Sequence, residues 1–301
     1  MTVETWDVRL IPDLVGRTAL VTGATSGIGE QTARVLASKN ANVILAVRDV
    51  EKGEWVAASI RQSCPGASGN ISVGALDLAS LASVRAFAEK LLVSVKRLDL
   101  LVNNAGVMLP PKGSRTEDGF ELQFGTNHLG HFALTGRLAP LLYATEGSRI
   151  VTVSSLAHKS GRLDFSDLNW ERRKIAAQAY CDSKLANMYF TYELVRRLKN
   201  QGRRTSALAA HPGWTSSSLA RHSRLVRMLH STFAQGVEIG ALPTLRAACD
   251  PGAQPGDHFG PAGFREMRGP PVRVKSSPRS YDLEPAGELW EISERMTGVS
   301  F

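Results

Sequence analysis

Short apolar runs alternate with amphipathic stretches along most of the chain. Residues 18–23, 42–47, 71–76, 98–102, 149–153 and 205–210 are brief, partly β-branched and continuously apolar, as strands are when both faces are buried. Residues 28–39, 50–62, 80–95, 118–142 and 178–199 carry apolar positions at helical spacing. This order predicts an α/β fold: a single doubly wound parallel sheet, with helices on both faces because parallel crossovers are right-handed. A ligand of such a sheet lies beyond the carboxyl ends of the strands, where the winding reverses.

One domain spanning residues 1–301 is the simplest organisation. A Pro/Gly-rich stretch, about 250–280, reads as irregular surface, and 284–297 as a closing helix with Leu289, Ile292 and Met296 toward the core. With 43% hydrophobic and 21% charged residues, a disordered, collagen-like or coiled-coil chain is excluded.

The net charge of +8 raises a nucleic-acid reading, through Arg172, Arg173, Lys174, Arg196, Arg197, Arg203 and Arg204. Pairs of basic residues on helix faces are ordinarily solvated surface, and an anionic cofactor needs only one or two, so no nucleic-acid partner is expected. Cys64, Cys181 and Cys249 are odd in number and lack CxxC spacing, which suits a reducing cytoplasm. No apolar run approaches the roughly 20 residues of a membrane span, so no membrane partner is expected either.

The first strand leads into Thr22, Gly23, Ala24, Thr25, Ser26, Gly27, Ile28, Gly29 and then a helix. Gly23 permits a tight turn, Gly27 a close backbone approach to a pyrophosphate, and Gly29 close helix packing, while first-turn N–H groups attract anions. The second strand ends at Arg48 and Asp49. An Arg there pairs with the 2′-phosphate of NADP, whereas an acid holds the NAD ribose. Asp49 stands directly before a helix and suits an N-cap, so NADP is expected over NAD.

With Asn103-Asn104-Ala105-Gly106, Asn127, Ser155, Tyr180-Cys181-Asp182-Ser183-Lys184 and Pro212-Gly213 following in order, the chain resembles the short-chain dehydrogenase/reductase family with its Rossmann fold. The resemblance covers most of the chain. It implies Tyr180 as catalytic acid/base, Lys184 as its electrostatic partner, Ser155 as ligand of the carbonyl oxygen and Asn127 as holder of a relay water. Asp77 and Asn104 would border the adenine and its ribose. Leu78, Ala105, Gly106, Pro212, Gly213, Thr215 and Ser217 would complete the cofactor-binding set, with Ser217 toward the carboxamide.

Elementary physics agrees with these roles. Tyr180 and Lys184 are four apart and share a helix face. A cation about 5 Å away, at an effective dielectric of about 20, contributes about 3 kcal/mol, on the order of two pKa units off a phenol. Ser154 rivals Ser155, but neighbouring strand residues face opposite ways and only one can serve. His128 and His131 are three apart without a completing Cys or acid, so they read as structural and no metal is expected.

The 24 residues between Ser155 and Tyr180 are more than compact family members carry, and the segment is similar to the branch of retinol dehydrogenases, WW-domain oxidoreductase and protochlorophyllide reductases. Ser217 stands where relatives usually place Thr. Residues of about 214–234 should form a substrate lid, whose Leu219, Leu225, Val226, Met228, Leu229 and Phe233 suggest an apolar small-molecule substrate. Reduction of a carbonyl, or oxidation of a secondary alcohol, is the leading activity. Carbon–carbon double-bond reduction and a catalytically silent NADP-binding protein stay open. Relatives often pair through the long helices beginning near Asp118 and Gln178, which leaves a homo-oligomer open.

Overall fold

The structure, a computed structural model, describes residues 6–173, 175–215 and 235–301. Eight strands form one sheet: β1 (Thr18–Thr22), β2 (Asn42–Val47), β3 (Ile71–Ala75), β4 (Leu100–Asn103), β5 (Arg149–Val153), β6 (Ser206–Ala210), β7 (His258–Pro261) and β8 (Pro271–Arg273). Their spatial order is β3-β2-β1-β4-β5-β6-β7-β8, and every pairing is parallel except that of β7 with β8. The winding reverses between β1 and β4, where the glycine turn and the Asn103–Gly106 turn emerge side by side.

Strand alternation divides the core in two. Leu20, Ile44, Leu101, Ile150 and Ala207 face one side of the sheet, and their neighbours Val21, Leu45, Val102, Val151 and Leu208 the other. The second side is covered by α1 (Gly27–Ser38), α2 (Val50–Ser63) and α6 (Val237–Cys249). The first is covered by α3 (Leu81–Ser94), α4 (Gly130–Ala144) and α5 (Ala176–Asn200), with α7 (Leu283–Thr297) packed outside them.

Three expectations need correcting. The stretch 250–280 is not irregular throughout, because it supplies β7 and β8. Pro261 ends β7 beyond its pairing with β6, which stops at Phe259, and Pro271 begins the edge strand β8, where a missing N–H is tolerated. The helix read as 118–142 starts later: Gly119 adopts φ +84, Leu122–Phe124 form a short turn, and Gly125–Leu129 form a π turn before α4. Helix α6, with Pro243 inside it, was not anticipated. Most of the anticipated lid, including Ser217, lies outside the described residues.

Helix α7 packs Leu289 as expected, yet its main anchor is Trp290, 1% exposed. Trp290 stacks on Phe190 with centroids 5.8 Å apart and meets Phe132 edge-on at 5.0 Å. The faces of α4 and α5 that it covers are thereby occupied within the chain itself. Trp290→Ala is expected to cost about 3–5 kcal/mol of stability, from lost burial plus an uncollapsed cavity. Urea unfolding followed by far-UV circular dichroism would measure it, and a loss below about 1 kcal/mol would contradict the packing role.

Most of the basic residues singled out above are engaged. Arg173 pairs with Asp167 and Asp182, Arg196 and Arg197 with Glu193, Arg204 with Glu146 and Arg172 with Asp164. The guanidinium of Arg203 lies 4.7 Å above the Tyr143 ring. Among the described residues no helix is long and apolar enough to cross a membrane.

Candidate active site

Gly23 sits at φ +65 immediately after β1, and a Cβ there would lie 2.9 Å from Ala105. At Gly29 a Cβ would come within 2.5 Å of the Gly23 carbonyl oxygen and 2.4 Å of Asn104 Nδ2. Only glycine lets α1 approach β1 this closely. Gly27 opens α1 at φ +60, and Ser26, its N-cap residue, makes no side-chain bond to the first turn. Thr25 is half-buried in the turn, Ile28 is buried, and the N–H groups behind Ser26 have no side-chain cap, the arrangement an anionic diphosphate needs.

The neighbouring turn is bonded to the glycine turn through Thr22. Asn104 Nδ2 donates to the Thr22 carbonyl at 2.7 Å, and the Asn104 and Ala105 N–H groups both donate to Thr22 Oγ1 at 2.9 Å. Arg48 is exposed at the end of β2, with no carboxylate partner among the described residues, while Asp49 caps α2 by accepting from Lys52 N at 3.0 Å. Asp77 is likewise occupied, accepting from Ala79 N at 2.9 Å. Leu78 is buried where a Cβ on Gly130 would approach its carbonyl oxygen to 2.4 Å. The residues present therefore fit a nicotinamide dinucleotide.

Beyond β5 the chain turns sharply at Ser155, the N-cap of a 3-10 turn over Leu156–Ser160. Ser155 Oγ accepts from Ala157 N at 3.2 Å, and its hydroxyl stands beside that of Tyr180, where it favours the phenolate. Ser154 points away, donating to the Lys184 carbonyl at 2.9 Å. His158 fixes the turn from below: Ser277 N donates to its Nε2 at 3.1 Å, so Nδ1 carries the proton and donates to the Ser155 carbonyl at 2.6 Å. Asp182 accepts from Arg162 N and Gln178 and pairs with Arg173, which binds the long 156–179 segment to α5.

Lys184 is 3% exposed, its Nζ donating to the Val153 carbonyl at 3.1 Å and lying 5.8 Å from the centre of the Tyr180 ring. Burial lowers it to about 8. Tyr180, by contrast, is pushed up to about 12 by burial, partly offset by the Ser155 hydrogen bond. The downward shift expected from Lys184 does not emerge, and desolvation of the phenolate dominates. A Cβ on Gly106 would lie 3.6 Å from Lys184 Nζ and 3.2 Å from Asn127 Oδ1, so this glycine keeps the space between them open.

Asn127 is fully buried in the π turn. Its Oδ1 accepts from Val107 N at 2.8 Å, and Nδ2 donates to the Val107 carbonyl and to Ser183 Oγ, both at 3.0 Å. Ser183 in turn donates to the Tyr180 carbonyl at 2.8 Å. The side chain therefore clamps the turn after Gly106 to α5.

Across the sheet, Gly213 is at φ +65 with the Met267 carbonyl oxygen 2.4 Å from where a Cβ would stand. Thr215 donates to the Pro212 carbonyl at 2.7 Å and abuts Gly240, beside Ile28. Among the described residues, no group of three His, Cys, Asp or Glu side chains is placed to hold a metal ion.

The short chain dehydrogenase family profile matches residues 17–225. The chain belongs to the short-chain dehydrogenase/reductase family. It is 47% identical to human retinol dehydrogenase 11, over 95% of this chain and 87% of that protein. With human retinol dehydrogenase 12 the identity is 42%, over 95% and 88%. An uncharacterized protein of Mycobacterium paratuberculosis superposes with a TM-score of 0.83 at 42% identity, covering 99% of both chains. The Pseudomonas aeruginosa RhlG/NADP active-site complex superposes with a TM-score of 0.66 at 27% identity, over 82% of this chain and 94% of that one.

The protein is thus an oxidoreductase of the retinol dehydrogenase branch. This short-chain dehydrogenase brings Ser155, Tyr180 and Lys184 together at the carboxyl ends of β5 and α5's first turns, with Asn127 behind them. Roles for Thr22, Ser183 and His158 were not anticipated. A polar side chain at the end of a strand buried throughout, as Thr22 is, was the available signal.

Proposed function

We propose that the protein transfers hydride between NADP(H) and the carbonyl or alcohol carbon of an apolar small molecule. The observation that carries this reading is the buried Lys184 ammonium 5.8 Å from the centre of the Tyr180 ring, with the Ser155 hydroxyl beside the phenol. When bound, the nicotinamide supplies or accepts the hydride and, in its oxidised form, adds positive charge. In the reducing direction Ser155 donates a hydrogen bond to the substrate oxygen and Tyr180 delivers the proton to it. In the oxidising direction Tyr180 takes the alcohol proton, with the Lys184 ammonium favouring its anionic form.

An apolar substrate is supported by the relatives named for retinol, a long hydrocarbon alcohol. Exposed Trp214, Ile239 and Phe264 add apolar surface on the segments that flank residues 216–234. NADP is supported by Arg48, which has no ion-pair partner among the described residues, and by Asp49, which is occupied as a cap. The RhlG structure holds the same cofactor. Three free thiols accord with a reducing compartment such as the cytoplasm.

The test is a panel of retinal, aliphatic and aromatic aldehydes and ketones, assayed by NADPH absorbance and, in parallel, with NADH. Arg48→Ala is expected to raise the NADPH KM about tenfold, the worth of one charge-assisted bond, with little change toward NADH. Equal loss with both cofactors would refute the 2′-phosphate role. Turnover of an enone at its double bond alone would replace the carbonyl reading.

A further inference from the structure

His131 is 2% exposed and lies one helical turn beyond Asn127. Its Nδ1 is 3.0 Å from the Asn127 carbonyl oxygen, and its Nε2 is 2.9 Å from Thr22 Oγ1. A carbonyl only accepts, so Nδ1 carries the proton, Nε2 is an acceptor, and the Thr22 hydroxyl donates to it at 2.9 Å in preference to the Val102 carbonyl at 3.3 Å. That leaves Thr22 Oγ1 as the acceptor for the Asn104 and Ala105 N–H groups already described. Burial holds His131 down to about 4, so one neutral tautomer persists across working pH.

We infer that His131 is a positioning residue that locks the catalytic π turn to the cofactor side of the sheet. The chain of bonds runs from the Asn104–Ala105 turn through Thr22 and the imidazole to the main chain of Asn127. A π turn holds one residue more than an α turn. Relaxing it would swing Asn127 by about 100° around the helix axis, carrying its amide off Val107 and Ser183. The imidazole opposes that slip by gripping Asn127 from within the same helix while anchored to a strand. Both histidines of this segment are thereby accounted for without metal, since His128 Nε2 donates to Ser293 Oγ at 2.8 Å.

This inference rests on the catalytic reading above, and the experiment separates the two. His131→Phe keeps the bulk of the ring and removes both bonds; Thr22→Val removes the hydroxyl. Each is expected to lower kcat about tenfold to a hundredfold, as displacement of a catalytic group by about 1 Å does. The KM for the carbonyl substrate should move less than about threefold, and the double variant should be no worse than the poorer single one, because both cut one connection. NADPH fluorescence titration of the same proteins should show weaker binding for Thr22→Val than for His131→Phe, since only the former strips the acceptor from Asn104 and Ala105.

Thr22→Ser, which retains the hydroxyl, should recover most of what Thr22→Val loses, and it keeps the test alive if His131→Phe does not fold. A folded His131→Phe with kcat within twofold of the parent, or strictly multiplicative losses in the double variant, overturns the inference. If instead Tyr180→Phe retains turnover, the catalytic reading itself fails.

Discussion

Tyr180→Phe is expected to lower kcat by about a thousandfold, within the range general acid–base catalysis contributes, while NADPH affinity measured by fluorescence changes less than about threefold. The phenol is buried and raised to about 12, so at neutral pH it is protonated and ready to donate to a carbonyl oxygen. Carbonyl reduction should accordingly hold its rate up through pH 8. Alcohol oxidation needs the phenolate and should accelerate with rising pH until a bound oxidised cofactor and Lys184 bring the phenol down. Opposite pH trends in the two directions, measured on one enzyme preparation, would support this assignment. A Tyr180→Phe variant within tenfold of the parent would end it.

Lys184→Met is expected to abolish activity and at the same time to stabilise the fold. Burial drops the lysine from 10.5 to about 8, so the folded protein releases a proton that the unfolded chain keeps between those two values. The resulting destabilisation is complete below about pH 8 and fades as pH climbs toward 10.5. Removing the amine at pH 7 should therefore gain about 1–3 kcal/mol, after subtracting the lost bond to the Val153 carbonyl, or several degrees in Tm. Thermal melts of the two proteins should converge as pH rises from 8 to 10. A variant less stable than the parent at pH 7 would refute this account.

Where local pattern and global fold agree, the chain was readable. β1, β2 and β5 begin and end within a residue of their apolar runs, and Tyr180 and Lys184 fall together because helical spacing requires it. β7 and β8 escaped because Pro261 and Pro271 look like breakers unless one is known to end its strand past the β6 pairing and the other to open an edge strand. Gly236, Gly240 and Pro243 hid α6 in the same way, although Gly240 is required by the close approach of Thr215.

That Ser155, Tyr180 and Lys184 lie together was legible, and the electrostatics around them were not. Nothing local to Tyr180 tells whether burial or the ammonium wins, since that depends on every element packed around the phenol. The π turn was hidden for a similar reason. Its extra residue is stabilised by Thr22, Val107, Ser183 and Ser293, all distant in sequence.

The bond between His128 and Ser293 spans 165 positions. During synthesis the segment bearing Asn127 emerges from the ribosome long before the helix that braces it, so a nascent chain can lay down β1 to β6 and still lack a finished catalytic centre. Helix α7 thus braces the segment bearing Asn127 as well as the core, and a chain terminated before Trp290 is expected to lack that brace.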